Sequence, residues 1–266
     1  MKLNIVPART GLVWVKLGIR TFFKQPLALS GLFFLFITMM SLASLIPFIG
    51  GALALALLPA ATLGLMAASR EAETGKFPMP LVLLSAFRAG RQRLQAMLVL
   101  GAFYALGFVL VMGVSALFDG GQFARLYLVG GRITDELVSS PDFKLAMWVA
   151  LGLYLPLSLT FWHAPALVHW HGVPPLQSMF YSAVACTRNF WALTIYALVW
   201  LGVFLGVGMV VSVVGVLLGS AESVAAIMLP VALLLAAMFF ASLYFTFRDS
   251  FDTELPASTE TPTSIN

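Results

Sequence analysis

Three histidines crowd one stretch of the chain, His163, His169 and His171. Imidazole is a common zinc ligand, and two of them one helical turn apart, as in H-E-x-x-H, grip the metal well. The intervals here are six and two residues. No Cys, Asp or Glu stands close by to complete a ligand set. Histidines making ordinary hydrogen bonds are therefore expected, and no metal site.

Arginine offers a second chemistry. Its planar fork can hold a phosphate through two parallel hydrogen bonds. Arg188-Asn189 stands where an amphipathic segment runs into a long apolar one, and Arg93 occupies a similar junction. With Lys16, Arg20, Lys24 and Arg88 these residues make a basic collar, expected to bind anionic lipid. The plainer alternative is an interface anchor in which Asn189 helps to cap a helix. Other chemistry is missing from the sequence: it has no P-loop, no H-E-x-x-H and no G-x-S-x-G. Neither an acid–base pair nor a nucleophile constellation can be assembled, so no enzyme and no cofactor are expected. The long apolar runs also lack Asp, Glu, Lys and Arg, the groups that ion-coupled carriers use. Glu222 is the nearest acid, in an outer turn.

The elements that must position these residues are membrane spans. Hydrophobic residues make up 61% of the chain and charged ones 10%, against about 25% charged in soluble domains, too few to cover a water-facing surface. Residues 25–69 contain no Asp, Glu, Lys, Arg or His. A span needs roughly 20 apolar residues, so this run reads as a hairpin, 27–46 and 52–69, reversed at Pro47-Phe48-Ile49-Gly50-Gly51. Further spans are expected over 96–118, 145–166, 190–218 and 224–247. Pro59, Pro156 and Pro230 fall inside spans, where a missing N–H favours a kink. The fold class is an all-α, six-span membrane protein with amphipathic helices on one face.

Three connections carry the polar residues. In 1–26, Arg9, Lys16, Arg20 and Lys24 share one narrow sector of a helix, and Trp14, Val15, Leu17, Ile19 and Phe22 fill the rest, which suits a headgroup boundary. Gln25-Pro26 ends that helix. The first long apolar run starts only after it, unlike a cleavable leader. A second interfacial helix is expected over 81–95, behind Pro78 and Pro80. A third starts at Pro175, with Leu176, Met179, Phe180, Ala183 and Val184 at helical spacing. Residues 119–144 form a mixed-charge loop in which 126–129 reads equally as strand or helix. The tail, 249–266, is polar and expected to be disordered. Gly202, Gly206, Gly208, Gly215 and Gly219 make small-residue pairs in span five, expected to pack helices within the protomer, with a dimer contact as the alternative.

With the N-terminus inside, the inside segments hold twelve Lys and Arg and the outside segments three. That bias places both termini in the cytoplasm. Basic residues flanking apolar runs point to lipid headgroups and away from nucleic acid. A single cysteine, Cys186, allows no intrachain disulfide. An internal offset of 95 residues pairs Pro80 with Pro175, Arg93 with Arg188, Gly107 with Gly202 and Gly113 with Gly208, as two related helix–surface-helix–helix units would.

Phe22-Phe23-Lys24-Gln25-Pro26, Phe161-Trp162-His163-Ala164-Pro165 and the run from Ser182 through Cys186-Thr187-Arg188-Asn189-Phe190-Trp191 resemble an uncharacterised family of proteobacterial integral membrane proteins. More distantly, the chain is similar to the membrane domain attached to some bacterial glycerophosphodiester phosphodiesterases. The resemblance covers most of the chain apart from the tail. It implies a bacterial inner-membrane protein with six helices and surface helices, and it carries no reaction. No extramembrane segment is long enough for the phosphodiesterase domain.

Two functions follow as expectations. The first is a non-enzymatic protein that contacts anionic lipid or protein partners, a second copy of itself included, through the collar. The second is a permease for a small apolar or lipid-like substrate, suggested by the offset pairs and the span prolines. A cavity lined by Ser, Thr and Tyr and reached by His163 or Arg188 would favour the permease.

Overall fold

The computed structural model describes residues 2–47, 49–217 and 221–251. Its α-helices are α1 (Thr10–Lys24), α2 (Pro26–Ser44), α3 (Gly50–Glu73), α4 (Ser85–Arg88), α5 (Arg91–Asp119), α6 (Gln122–Val129), α7 (Asp135–Ser139), α8 (Pro141–Phe161), α9 (Ala164–His171), α10 (Pro175–Arg188), α11 (Phe190–Leu217) and α12 (Ala221–Ser250). A 3-10 turn, Pro80–Leu84, precedes α4. Prolines open several helices, Pro26 in α2, Pro141 in α8 and Pro175 in α10, because the first turn has no use for the missing N–H.

Among the described residues, six helical stretches are long and apolar enough to cross a bilayer: Pro26–Ser44, Gly50–Glu73, Arg91–Asp119, Pro141–His171, Phe190–Leu217 and Ala226–Ser250. The fourth is broken at Trp162-His163, where α8 gives way to α9. The spans alternate in direction, so residues near 3 and 251 meet at one end of the bundle. There Leu3 pairs with Phe251 in an antiparallel bridge. Arg125, Arg132 and Lys144 lie toward the opposite end, between α5 and α8.

Helix α3 sits at the centre, packed on α1, α2, α5 and α12. One core gathers Trp14, Leu63, Met97, Leu100, Leu167 and Phe245. A second, around α2, gathers Phe22, Leu32, Phe33, Phe36 and Leu65.

Several elements differ from what the sequence suggests. Helix α1 forms where its pattern predicts, but its apolar face is no headgroup face. Trp14, Val15 and Phe22 are buried, and α1 lies against α3, α11 and α12. Gly11 meets the backbone of Ala192 and Tyr196, and Gly18 meets Ser242, so closely that neither place has room for a Cβ. The segment 81–95 is not one helix. Gly90 takes a φ of 97°, in the region glycine reaches at no steric cost, and this turn puts Arg91 and Arg93 in the first turn of span three. Residues 126–129 are helical, within α6.

In α10 the apolar stripe splits. Leu176 and Phe180 are exposed, while Ser178, Ser182, Ala185 and Cys186 are buried, facing α8 and α9. The offset pairs land in unlike settings. Arg93 belongs to a span and Arg188 ends a surface helix. A Cβ at Gly107 would press on Leu157, whereas one at Gly202 would meet nothing. Helix α12 runs to Ser250 and Phe251 is fully packed, so the part of the tail from 249 to 251 belongs to the folded body. The disorder expected for 252–266 falls outside the described residues.

Candidate functional site

The basic end is held by a buried amide. Asn189, between α10 and α11, is only 2% exposed. Its Oδ1 accepts from Val6 N at 2.9 Å, across 183 residues of chain. Its Nδ2 donates to the Asn4 carbonyl at 3.0 Å and to Ser250 Oγ at 3.2 Å. One side chain thus ties the N-terminal segment, the end of α12 and the α10–α11 corner. Beside it, Trp14 Nε1 donates to Asp249 Oδ2 at 2.9 Å. Arg248 spans Glu73 at 2.6 Å and Asp249 at 2.8 Å. Lys24 Nζ donates to the Glu73 carbonyl at 2.8 Å.

Next to this knot, Arg88 and Arg93 line one pocket of about 620 Å³, together with Glu71, Ser85 and His169. The Gly90 turn brings the end of α4 and the start of α5 to the same wall. Both arginines are exposed. Ser85 Oγ and His169 Nδ1 are buried without a protein partner among the described residues, and a buried polar group left unpaired costs about 1–3 kcal/mol. Arg70 stacks over the Trp170 ring, 5.6 Å from its centroid, and so braces α9 beside the pocket. The lining carries two positive side chains against one carboxylate, an arrangement that can take a phosphate on the arginine forks.

A second cavity, of about 170 Å³, lies within the membrane spans. Thr62, Tyr104, Tyr154 and Ser158 bring hydroxyls to it, among aromatic rings. His163 and Arg188 do not line it. A hydroxyl-lined cavity is therefore present, but the expectation that favoured a permease is met only in part, because neither His163 nor Arg188 reaches it.

Comparison with known proteins places the chain. It is 38% identical over 265 residues to a probable inner membrane protein of Burkholderia thailandensis, an alignment covering 98% of each chain. This protein belongs to that family. It is a multi-pass inner membrane protein. No family model matches it, and no solved structure matches it. None of these comparisons carries the likeness to the phosphodiesterase membrane domain.

The expected collar divides in this inner membrane protein. Arg88 and Arg93 come together. Lys16 and Arg20 are exposed on α1, Lys24 is engaged by Glu73, and Arg188 is exposed at the end of α10, outside the pocket lining. Asn189 must be removed from the lipid-facing set. It is buried, and its side chain neither faces lipid nor caps α11, because Asn4, Val6 and Ser250 consume its polar atoms.

The histidines also depart from expectation. Nδ1 of His163 and His169 and Nε2 of His171 are buried with no protein partner among the described residues. His163 packs its ring against Phe247 and Phe251. Among the described residues, no group of three or more His, Cys, Asp and Glu could hold a metal. Burial pushes the Cys186 thiol up to about 12, which keeps it protonated.

Among the described residues, a Cβ added at Gly202, Gly206 or Gly208 of span five would meet nothing, whereas one at Gly215 would press on Val224. The intraprotomer packing expected of the first three is not made. Gly219 lies outside the described residues.

The Ser182 hydroxyl is the site feature that sequence reasoning missed. It accepts from His163 N at 2.9 Å and donates to the Leu159 carbonyl at 2.8 Å. It stitches the break between α8 and α9, and so sets where His169 stands. A serine inside an amphipathic pattern gives no signal of that role.

Proposed function

We propose that this inner membrane protein holds the phosphate of an anionic lipid headgroup at its basic end, with Arg88 and Arg93 as the fork and Lys16, Arg20, Lys24 and Arg188 as the surrounding field. The reading rests on the convergence of Arg88 and Arg93 on one pocket. Charge-assisted bonds from guanidinium to phosphate are about twice as strong as neutral ones, and each basic residue near an anionic surface adds about 1 kcal/mol. The bias of twelve Lys and Arg to three supports placing this end in the cytoplasm. Protein partners, or a second copy of the chain, are the alternative occupants of the same collar.

The test is native mass spectrometry of the purified protein in mild detergent with phosphatidylglycerol and phosphatidylethanolamine. Retained phosphatidylglycerol, lost in the Arg88→Gln/Arg93→Gln double variant and kept in Arg125→Gln, is the expected result. Preference for phosphatidylethanolamine would mean that Glu71 takes the ammonium and the headgroup class is wrong. Equal retention in the double variant and the parent would end the proposal.

Transport of a small apolar substrate is the second reading, favoured by the hydroxyl-lined cavity in the spans. It requires counterflow of a bound ligand in proteoliposomes, and binding without movement would exclude it.

A further inference from the structure

The cavity within the spans has a shape that follows from helix packing. Helix α3 packs on α5 and α12, and α5 packs on α8, but α8 and α12 make no extended contact with each other. A cleft is left between α8 and α12, floored by Thr62 of α3 and Tyr104 of α5. At the basic end it is closed by Trp162, whose Nε1 donates to Thr246 Oγ1 of α12 at 3.1 Å. Pro59 lies in its wall and Pro156 stands two residues before Ser158 on α8, and each proline removes one helical hydrogen bond at this level.

The lining combines two chemistries. The rings of Phe161, Trp162, Phe239 and Phe240 face the cavity, and no charged side chain does. Against them stand four hydroxyls with unused capacity. The Tyr104 and Tyr154 hydroxyls are 3.2 Å apart and share one hydrogen bond. Two phenols own two hydrogens, so one remains free to donate. Thr62 and Ser158, unlike Thr160, which bonds the Pro156 carbonyl at 2.8 Å, have no side-chain partner among the described residues. Size narrows the occupant. An apolar cavity of about 150 Å³ is enough to bind benzene, and this one measures about 170 Å³. A charged ligand would meet no counter-charge and pay a desolvation cost. A plain hydrocarbon would leave the hydroxyls unsatisfied.

We infer that the cleft between α8 and α12 binds a neutral six-membered ring bearing oxygen, a phenol or a quinone, with the ring among the aromatic walls and the oxygen on the Tyr104–Tyr154 pair, Thr62 and Ser158. The site is independent of the headgroup pocket, and it holds whether or not the ligand is moved across the membrane. The ring comes either from a free small aromatic or from the head of a tailed membrane quinone whose tail leaves the cleft on its lipid side.

The experiment titrates the purified protein in detergent with benzene, phenol and decylubiquinone, and reads saturable binding and the rise in melting temperature that ligand binding brings. Phenol should bind about tenfold more tightly than benzene, the equivalent of one hydrogen bond. The Thr62→Val/Ser158→Ala variant, which removes two of the four hydroxyls with little change in volume, should narrow that difference while still folding, the Tyr104–Tyr154 pair keeping the remainder. The Arg88→Gln/Arg93→Gln variant should leave phenol affinity unchanged, which separates this site from the headgroup pocket. Decylubiquinone at least about tenfold tighter than phenol identifies a membrane quinone as the source. Phenol tighter than decylubiquinone identifies a free aromatic. Absence of saturable binding by both, or a phenol-to-benzene ratio untouched by Thr62→Val/Ser158→Ala, overturns the inference.

Discussion

Asn189 shows how one side chain can stand in for an interface. Its amide satisfies a backbone donor, a backbone acceptor and a hydroxyl from two distant parts of the chain. Asn189→Leu would leave Val6 N–H and the Asn4 carbonyl without partners. A fully buried polar group so stranded costs roughly 1–3 kcal/mol, and these two are part-buried, so the variant should melt below the parent in detergent, while Asn189→Asp, which keeps the acceptor for Val6 N, should fall between the two. A melting temperature unchanged in Asn189→Leu would mean that the N-terminal segment contributes nothing to the fold. The residue itself stood out in the sequence. Its partners did not, because a side-chain amide at a helix junction has the same signature whether it caps the helix, touches lipid or reaches across the molecule.

At the scale of elements, α1 and α11 exchange the roles that their patterns suggest. Helix α1 carries charge, Trp and Phe as a headgroup helix would, yet the face with Trp14, Val15 and Phe22 is buried against spans, while Lys16 and Arg20 stay exposed. Helix α11 has small residues at dimer-like spacing, yet Gly202, Gly206 and Gly208 face open space among the described residues. Apolar periodicity marks which face avoids water but cannot tell lipid from protein, since both are apolar. What separates the two helices is closeness of approach. Gly18→Leu should cost at least about 1–3 kcal/mol, the usual penalty of overpacking, because Ser242 already occupies the space of a Cβ. Gly202→Leu should change the protomer's stability by no more than about 0.5 kcal/mol. Melting both variants in detergent tests the pair, and a larger loss in Gly202→Leu would reverse the assignment. The same substitution would weaken self-association if that open face meets a second copy.

Over the whole molecule, charge and topology agree. Twelve of the basic residues lie at the end where the chain begins and finishes, and Arg125, Arg132 and Lys144 lie at the other. Cysteines introduced at Arg9 and Arg132 should report this in intact cells. An impermeant maleimide is expected to label Arg132→Cys and to leave Arg9→Cys unlabelled until the membrane is opened. The reverse pattern would turn the protein over and place the Arg88–Arg93 pocket outside. Cys186 should not interfere with the assay, because maleimide reacts with thiolates and burial keeps this thiol protonated.

The sequence by itself determined the number of spans, their approximate limits, the helical class and the gathering of positive charge at one end. Each of these follows from local composition, because a bilayer demands a run of apolar residues of set length and internally satisfied backbone. It also named Arg88 and Arg93, but only as members of a diffuse collar. Tertiary structure alone decided that those two share a pocket, that Asn189 faces inward, that one face of α1 is core and that α8 and α12 part around a hydroxyl-lined cleft. Those outcomes depend on which helix faces which, and at what distance. Such pairings join residues as far apart as Val6 and Asn189, and no pattern within either segment records them.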